Sequence, residues 1–294
     1  MGEPVVAVAE ESRRPATGLL LAVAAVVCFS TSPVFTLWAA PLSPFEITVG
    51  RLAIGAMAVW GLARLTGQPL LPRRSHLPLF AAFGLITALH FLTYIASLSF
   101  TTIAHALAIV YTAPIFVTLF SAALLKEPIL PRKWLGVLVA VAGIAVLVGF
   151  EAHWTRRMLI GDLLALGSAI TFGLYSVAGR SQRERYGLFT YAGTVYALAA
   201  LWTLPAAVVA FTPSGYQGLS LLAVIAAGLI PMAAGHTMYN AALRRTHATT
   251  VNLIATQEVT GGVLLGALLL NQVPQPNEII GIAIALVGIA IVLI

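Results

Sequence analysis

The polar residues best placed to do chemistry in this 294-residue chain lie inside long apolar runs. Glu258 is the deepest, with Asn252, Gln257 and Thr260 near it. A charge at membrane depth costs roughly 2.5–3.5 kcal/mol on insertion scales, so it implies a task. A carboxylate there could bind a substrate ammonium or carry a coupling proton. The plainer alternative is a hydrogen-bonded glutamate that locks two helices together. Thr87, His90, Tyr94 and Ser97 recur at helical spacing and make one polar stripe on an apolar helix. A second stripe carries His236, Tyr239 and Asn240. Tyr111, Phe29, Phe172 and Tyr175 add rings that can stack on an aromatic solute or face an ammonium. Together these residues are expected to line a binding site for a small solute, although a lone membrane histidine commonly does no more than pack. Glu46 and Arg51 are five residues apart, a poor helical pair. Each is expected to find a structural partner on another helix.

Other chemistries leave no trace. There is no Gly-x-x-x-x-Gly-Lys-Ser/Thr loop, which excludes ATP binding by that mechanism. The six histidines are dispersed and Cys28 stands alone, so neither a metal site nor an internal disulfide is readable. No nucleophile–base pair has catalytic spacing, and no Asp-rich cluster points to an intramembrane lipid-modifying enzyme. The chain is read as a non-enzyme with no cofactor and no metal.

The elements that position these residues follow from composition. The chain is 60% apolar and only 9% charged, against about 25% charged in a soluble domain. A helix needs roughly 20 apolar residues to cross a bilayer. Ten such runs are present, near 17–38, 44–64, 77–98, 102–125, 132–150, 158–180, 187–211, 219–243, 248–271 and 277–294. Residues 1–16 form a polar tail. Thirteen of the 16 Lys and Arg residues fall in the tail and in alternate loops, against Arg156 and Arg157 on the other side. The positive-inside rule then puts both termini in the cytoplasm. It also accounts for the net charge of +6 without a nucleic-acid partner.

The chain repeats itself. A shift of 145 aligns Tyr94 with Tyr239, Thr101 with Thr246, Pro131 with Pro276, Gly136 with Gly281 and Gly143 with Gly288. A shift of 143 aligns Gly18 with Gly161 and Phe29 with Phe172. Runs 1–5 (residues 17–150) therefore recur as runs 6–10 (158–294), joined by an extracytoplasmic linker at 151–157. Five crossings per unit invert the second copy. An inverted repeat is the mark of secondary transporters, with the site at the midplane where the halves meet. Prolines fall inside the runs at Pro33, Pro114, Pro205 and Pro231; Pro33 and Pro114 are the favoured gating hinges. Gly136, Ala140 and Gly143, and Gly281, Ala285 and Gly288, are read as close-packing scaffold.

Ala-Leu-Leu-Lys126-Glu127-Pro128 followed by Gly136 and Gly143, within a five-plus-five repeat, resembles the EamA-type members of the drug/metabolite transporter superfamily. The resemblance covers nearly all of the chain after the tail. One departure is Asn271-Gln272-Val273, where the first half has Lys126-Glu127-Pro128. The resemblance implies an all-α fold of ten transmembrane helices in a bacterial inner membrane. It also implies export of small organic metabolites, with a general similarity to exporters of aromatic or large apolar amino acids. Glu258 stands where such proteins often carry an acidic residue. The alternative cargo is a drug or nucleotide sugar, but anionic cargo calls for cavity arginines and Arg51 is the one deep arginine.

Overall fold

Inside a bilayer an apolar run can satisfy its backbone locally only as a helix. Every regular element among the described residues of the computed structural model is helical. Those residues are 15–101, 103–127, 130–148, 155–270 and 276–293. The tail up to residue 14, linker residues 151–154, Pro128 and the Asn271-Gln272-Val273 segment lie outside them.

Fourteen α-helices run in the order α1 Pro15–Phe29, α2 Ser32–Trp38, α3 Pro44–Leu65, α4 Leu77–Ser97, α5 Ile103–Val110, α6 Ala113–Phe120, α7 Pro131–Val148, α8 Arg156–Ser181, α9 Leu188–Val209, α10 Gly218–Ala227, α11 Thr237–Arg245, α12 Ala248–Ala255, α13 Glu258–Leu270 and α14 Pro276–Leu293. A π-helical turn, Ser121–Leu125, extends α6, and a π-helical stretch, Gly228–His236, joins α10 to α11. Seven described segments are long and apolar enough to cross a membrane, and Ala113–Leu125 and Ile279–Val292 are shorter apolar helices. Their outer surface is apolar: Leu20, Val27, Leu201 and Leu268 are all exposed.

Three of the expected runs are not continuous helices. Run 17–38 is interrupted between α1 and α2, run 102–125 between α5 and α6, and run 248–271 between α12 and α13. Each interruption carries a threonine whose hydroxyl donates to the carbonyl three residues back: Thr31 to Cys28 at 2.6 Å, Thr112 to Ile109 at 2.7 Å and Thr256 to Leu253 at 2.7 Å. The side chain thus takes up a carbonyl at the point where the helix stops. Pro33 and Pro114 lie in the first turns of α2 and α6. The missing N–H costs nothing there, because a first-turn donor has no helical partner. They therefore restart helices rather than kink continuous ones.

The helix pairing is unchanged when the halves are exchanged. α3 packs on α9 and α7 on α14, each pair made of repeat mates. α1 packs on α11, and the corresponding pair in the other half is α8 on α4. Close approaches repeat in the same register. A Cβ built on Gly161 would lie 2.8 Å from Thr101 Cβ, and one on Gly18 would lie 3.3 Å from Thr246 Cγ2. Gly18 and Gly161, like Thr101 and Thr246, are the residues that the two sequence shifts align.

Glu46 has a structural role as expected, but its partners lie in a connection between helices and in its own cap, not on another helix. It closes a capping box with Ser43 at the start of α3. Its Oε1 accepts from the Thr212 backbone N–H at 2.9 Å and from the Tyr216 hydroxyl at 3.0 Å. This fastens α3 to the segment between α9 and α10.

Candidate functional site

All three interruptions border one pocket. Phe29 and Ser32 flank the first, Val110 and Tyr111 the second, and Glu258 opens α13 just past the third. Arg51 of α3, His90, Phe91 and Tyr94 of α4, Phe172 of α8 and His236 at the end of the π-helical stretch complete the wall. Broken helices are expected where irregular backbone lines a cavity in a membrane protein. π-Helical segments also concentrate at functional sites.

The pocket holds one acidic and one basic side chain, both buried. Glu258 stands in the first turn of α13, where the positive end of the helix favours an anion. Its Oε2 accepts from the Tyr111 hydroxyl, which ties α13 to the α5–α6 break. Arg51 is 1% exposed. Its Nη1 donates to Ser32 Oγ at 3.1 Å, and its guanidinium carbon lies 4.8 Å from the centre of the Phe91 ring. Nε has no hydrogen-bond partner. No ion pair joins Arg51 to Glu258 among the described residues.

Histidine and aromatic rings form the apolar part. His90 stacks on Phe172 at 4.6 Å and 13°, and Phe172 continues onto Tyr239 at 5.4 Å. His236 meets Phe29 at 4.4 Å and the edge of Phe91 at 4.8 Å. His90 Nδ1 lies 2.9 Å from the Ser168 hydroxyl and 3.1 Å from the Ser168 carbonyl, which ties the ring of α4 to α8.

Of the residues singled out by sequence for the site, Phe29, His90, Tyr94, Tyr111, Phe172, His236 and Glu258 line the pocket. Tyr175, Tyr239 and Asn240 form a buried polar layer beside it. Asn240 Nδ2 donates to the Tyr175 hydroxyl at 2.5 Å and to the His236 carbonyl at 2.8 Å. The Tyr239 hydroxyl is bonded to Ser176 Oγ at 2.6 Å and accepts from Asn252 Nδ2 at 3.1 Å. Thr87 and Ser97 bond their own helix backbone, to Phe83 and Tyr94 respectively. Arg51 has its expected partner on another helix, Ser32, and also reaches the pocket wall. Ser32, Phe91 and Val110 were not singled out. The signal for Ser32 was the Thr-Ser-Pro33 sequence, where a hydroxyl pair precedes a helix restart.

A second charged cluster closes one end of the bundle. Lys126, at φ 54°, turns the chain out of the π-helical turn and delivers Glu127 to Arg180 at the end of α8. Arg180 Nη1 also donates to the carbonyls of Leu243 and Thr246, at 2.7 and 2.5 Å, and His247 Nδ1 lies 3.4 Å from Glu127. Burial pushes the Glu127 carboxyl up, but the hydrogen bonds from His247 and Arg180 and the Arg180 charge outweigh it and hold it at about 2. A carboxyl depressed below its unfolded value stabilises the fold above that value and loses the effect as pH falls toward 2. The Tm difference between the wild type and Glu127→Gln is therefore expected to narrow as pH falls below about 4.5. A gap that holds constant down to pH 3 would count against this latch.

A buried polar pocket bordered by broken apolar helices is the arrangement expected of a membrane transporter. The chain matches the model of the EamA-like transporter family over residues 16–149 and 159–294. It belongs to that family, whose members are multi-pass transporters of the membrane and not enzymes. It is similar to the aromatic amino acid exporter YddG of Ancylobacter novellus, with 29% identity over 94% of this chain and 95% of that one. It is also similar to an uncharacterized transporter of Archaeoglobus fulgidus, with 24% identity over 93% and 96% of the two chains. A crystal structure of 24% identity superposes with a TM-score of 0.80 over 96% of this chain and 97% of that one, and so shares the fold. The bacterial relatives place the protein in the inner (plasma) membrane.

Proposed function

We propose that this transporter exports small organic metabolites, specifically aromatic or large apolar amino acids, by alternating access around the pocket. Ten spans form an inverted five-plus-five repeat with both termini in the cytoplasm, and α1–α2, α5–α6 and α12–α13 each count as one interrupted span. The observation that carries this reading is the pocket itself, where an acidic side chain and a run of stacked rings meet at three helix breaks. Similarity to a protein named as an aromatic amino acid exporter supports the cargo. Glu258 takes the amine of the solute, and in its absence a coupling proton, so proton and cargo exclude one another. Pro33 and Pro114 mark the breaks about which the halves rock, and Tyr175, Tyr239 and Asn240 brace the ring wall from behind.

The test is counterflow in proteoliposomes with a panel of radiolabelled amino acids, with and without a pH gradient. Phenylalanine, tyrosine, tryptophan and leucine are expected to exchange faster than lysine or glutamate, and exchange of none of them would overturn the reading. Tyr94→Ala and His236→Ala are each expected to slow exchange about 3- to 10-fold, the value of one ring contact. If both variants are as active as the wild type, the wall is wrongly assigned.

A further inference from the structure

Arg51 presents five N–H donors, of which one finds a hydroxyl, while the side chain is 1% exposed. A guanidinium so deeply placed is costly unless an anion meets it. Glu258 attracts it across the pocket but does not contact it: no ion pair joins them among the described residues, and its Oε2 is held by the Tyr111 hydroxyl. One pocket thus keeps a positive and a negative group apart, with the rings of Phe29, Phe91, Phe172 and His236 in the same wall.

Resting on the reading of this pocket as the transport site, we infer that Arg51 and Glu258 form a two-ended site for a zwitterion. The guanidinium takes a carboxylate and Glu258 takes an ammonium, so the cargo must carry both groups on one small molecule. A bare amine would leave Arg51 unpaired. A bare carboxylate would leave Glu258 without its cation, and a dianion would meet repulsion from it. The free Nε supplies one of the two parallel donors of the Arg–carboxylate fork. The two ends also belong to different halves of the repeat, Arg51 on α3 and Glu258 on α13. A zwitterion bridging them binds tightest when the halves are drawn together. That is the differential affinity a ligand needs to shift a conformational equilibrium.

Counterflow of radiolabelled phenylalanine by the full-length protein tests this, with unlabelled phenylalanine, phenylalanine amide, phenethylamine and 3-phenylpropionate as competitors. Each analogue that lacks one charged end is expected to compete at least about 30-fold more weakly than phenylalanine. Arg51→Gln is expected to bring phenylalanine and its amide within about threefold of each other. Arg51→Lys keeps the charge without the fork and is expected to fall between. If these variants do not fold, the wild-type competition decides alone. Competition by the amide as strong as by phenylalanine overturns the two-ended site while leaving amino-acid export standing. If the wild type exchanges no amino acid at all, both fall together.

Discussion

Glu258→Gln is expected to lower amino-acid counterflow by at least about 30-fold and to abolish its acceleration by a pH gradient, with the folded yield unchanged. Glutamine has the shape of glutamate, and its amide oxygen still accepts the hydroxyl proton of Tyr111, so the tie between α13 and the α5–α6 break survives. What is lost is the charge. Without it an ammonium has no partner, and there is no titrating group to carry a proton between the two faces of the membrane. Truncating one member of a buried charged pair costs about 2–5 kcal/mol, which sets the lower bound on the loss. Counterflow and gradient-driven flux on the same vesicles separate the roles. A glutamate that only locks helices predicts a different result, full transport at unchanged yield, because glutamine keeps that tie.

The same geometry suggests why the pocket sits where it does. A continuous helix turns only side chains toward its neighbours. A helix that stops at Thr31, Thr112 or Thr256 also brings a helix end to the site, and at Glu258 that end is the positive one. The breaks come from both halves: two are in the first (α1–α2 and α5–α6) and one is in the second (α12–α13). Relative motion of the halves must therefore change the pocket.

Much of this was legible in the residues, and the misses share one cause. Apolar length marks helices in a membrane chain because the bilayer leaves no alternative, so the helical class followed from composition. The duplication was legible because Gly18 with Gly161 and Thr101 with Thr246 meet the same steric demand in each half, and glycine is the residue that admits it. Arg51 was expected to find a partner on another helix and does so, but nothing in its spacing marked it as part of the pocket wall. The group it bonds is Ser32, on a different helix, and Phe91 lies on a third. Long-range placement of this kind leaves no periodic mark. The helix breaks left a faint one, hydroxyl residues just ahead of Pro33 and Pro114. At Thr256 no proline follows, and the interruption could not be told from a continuous apolar run.

The second large effect is expected far from the pocket, at Gly143. α7 and α14 lie so close that a Cβ on Gly143 would fall 2.7 Å from the Gly281 carbonyl oxygen and 2.9 Å from Ala285 Cα. The mate contact is as tight, since a Cβ on Gly288 would fall 2.6 Å from the Gly136 carbonyl oxygen and 2.8 Å from Ala140 Cα. These neighbours are backbone or short side chains, with no flexible end to swing aside. Between helices in lipid there is little hydrophobic drive, so the pair is held by close packing itself. Gly143→Leu must therefore push the two helices apart along their shared length, and is expected to cost about 3 kcal/mol or more. Folded protein in detergent should fall to a small fraction of the wild-type yield. Gly167→Leu is the control, because nothing lies within 4 Å of a Cβ built there. It should express and transport like the wild type. Equal losses at the two positions would show that bulk on any helix is harmful, and that the α7–α14 contact has no special weight in the fold.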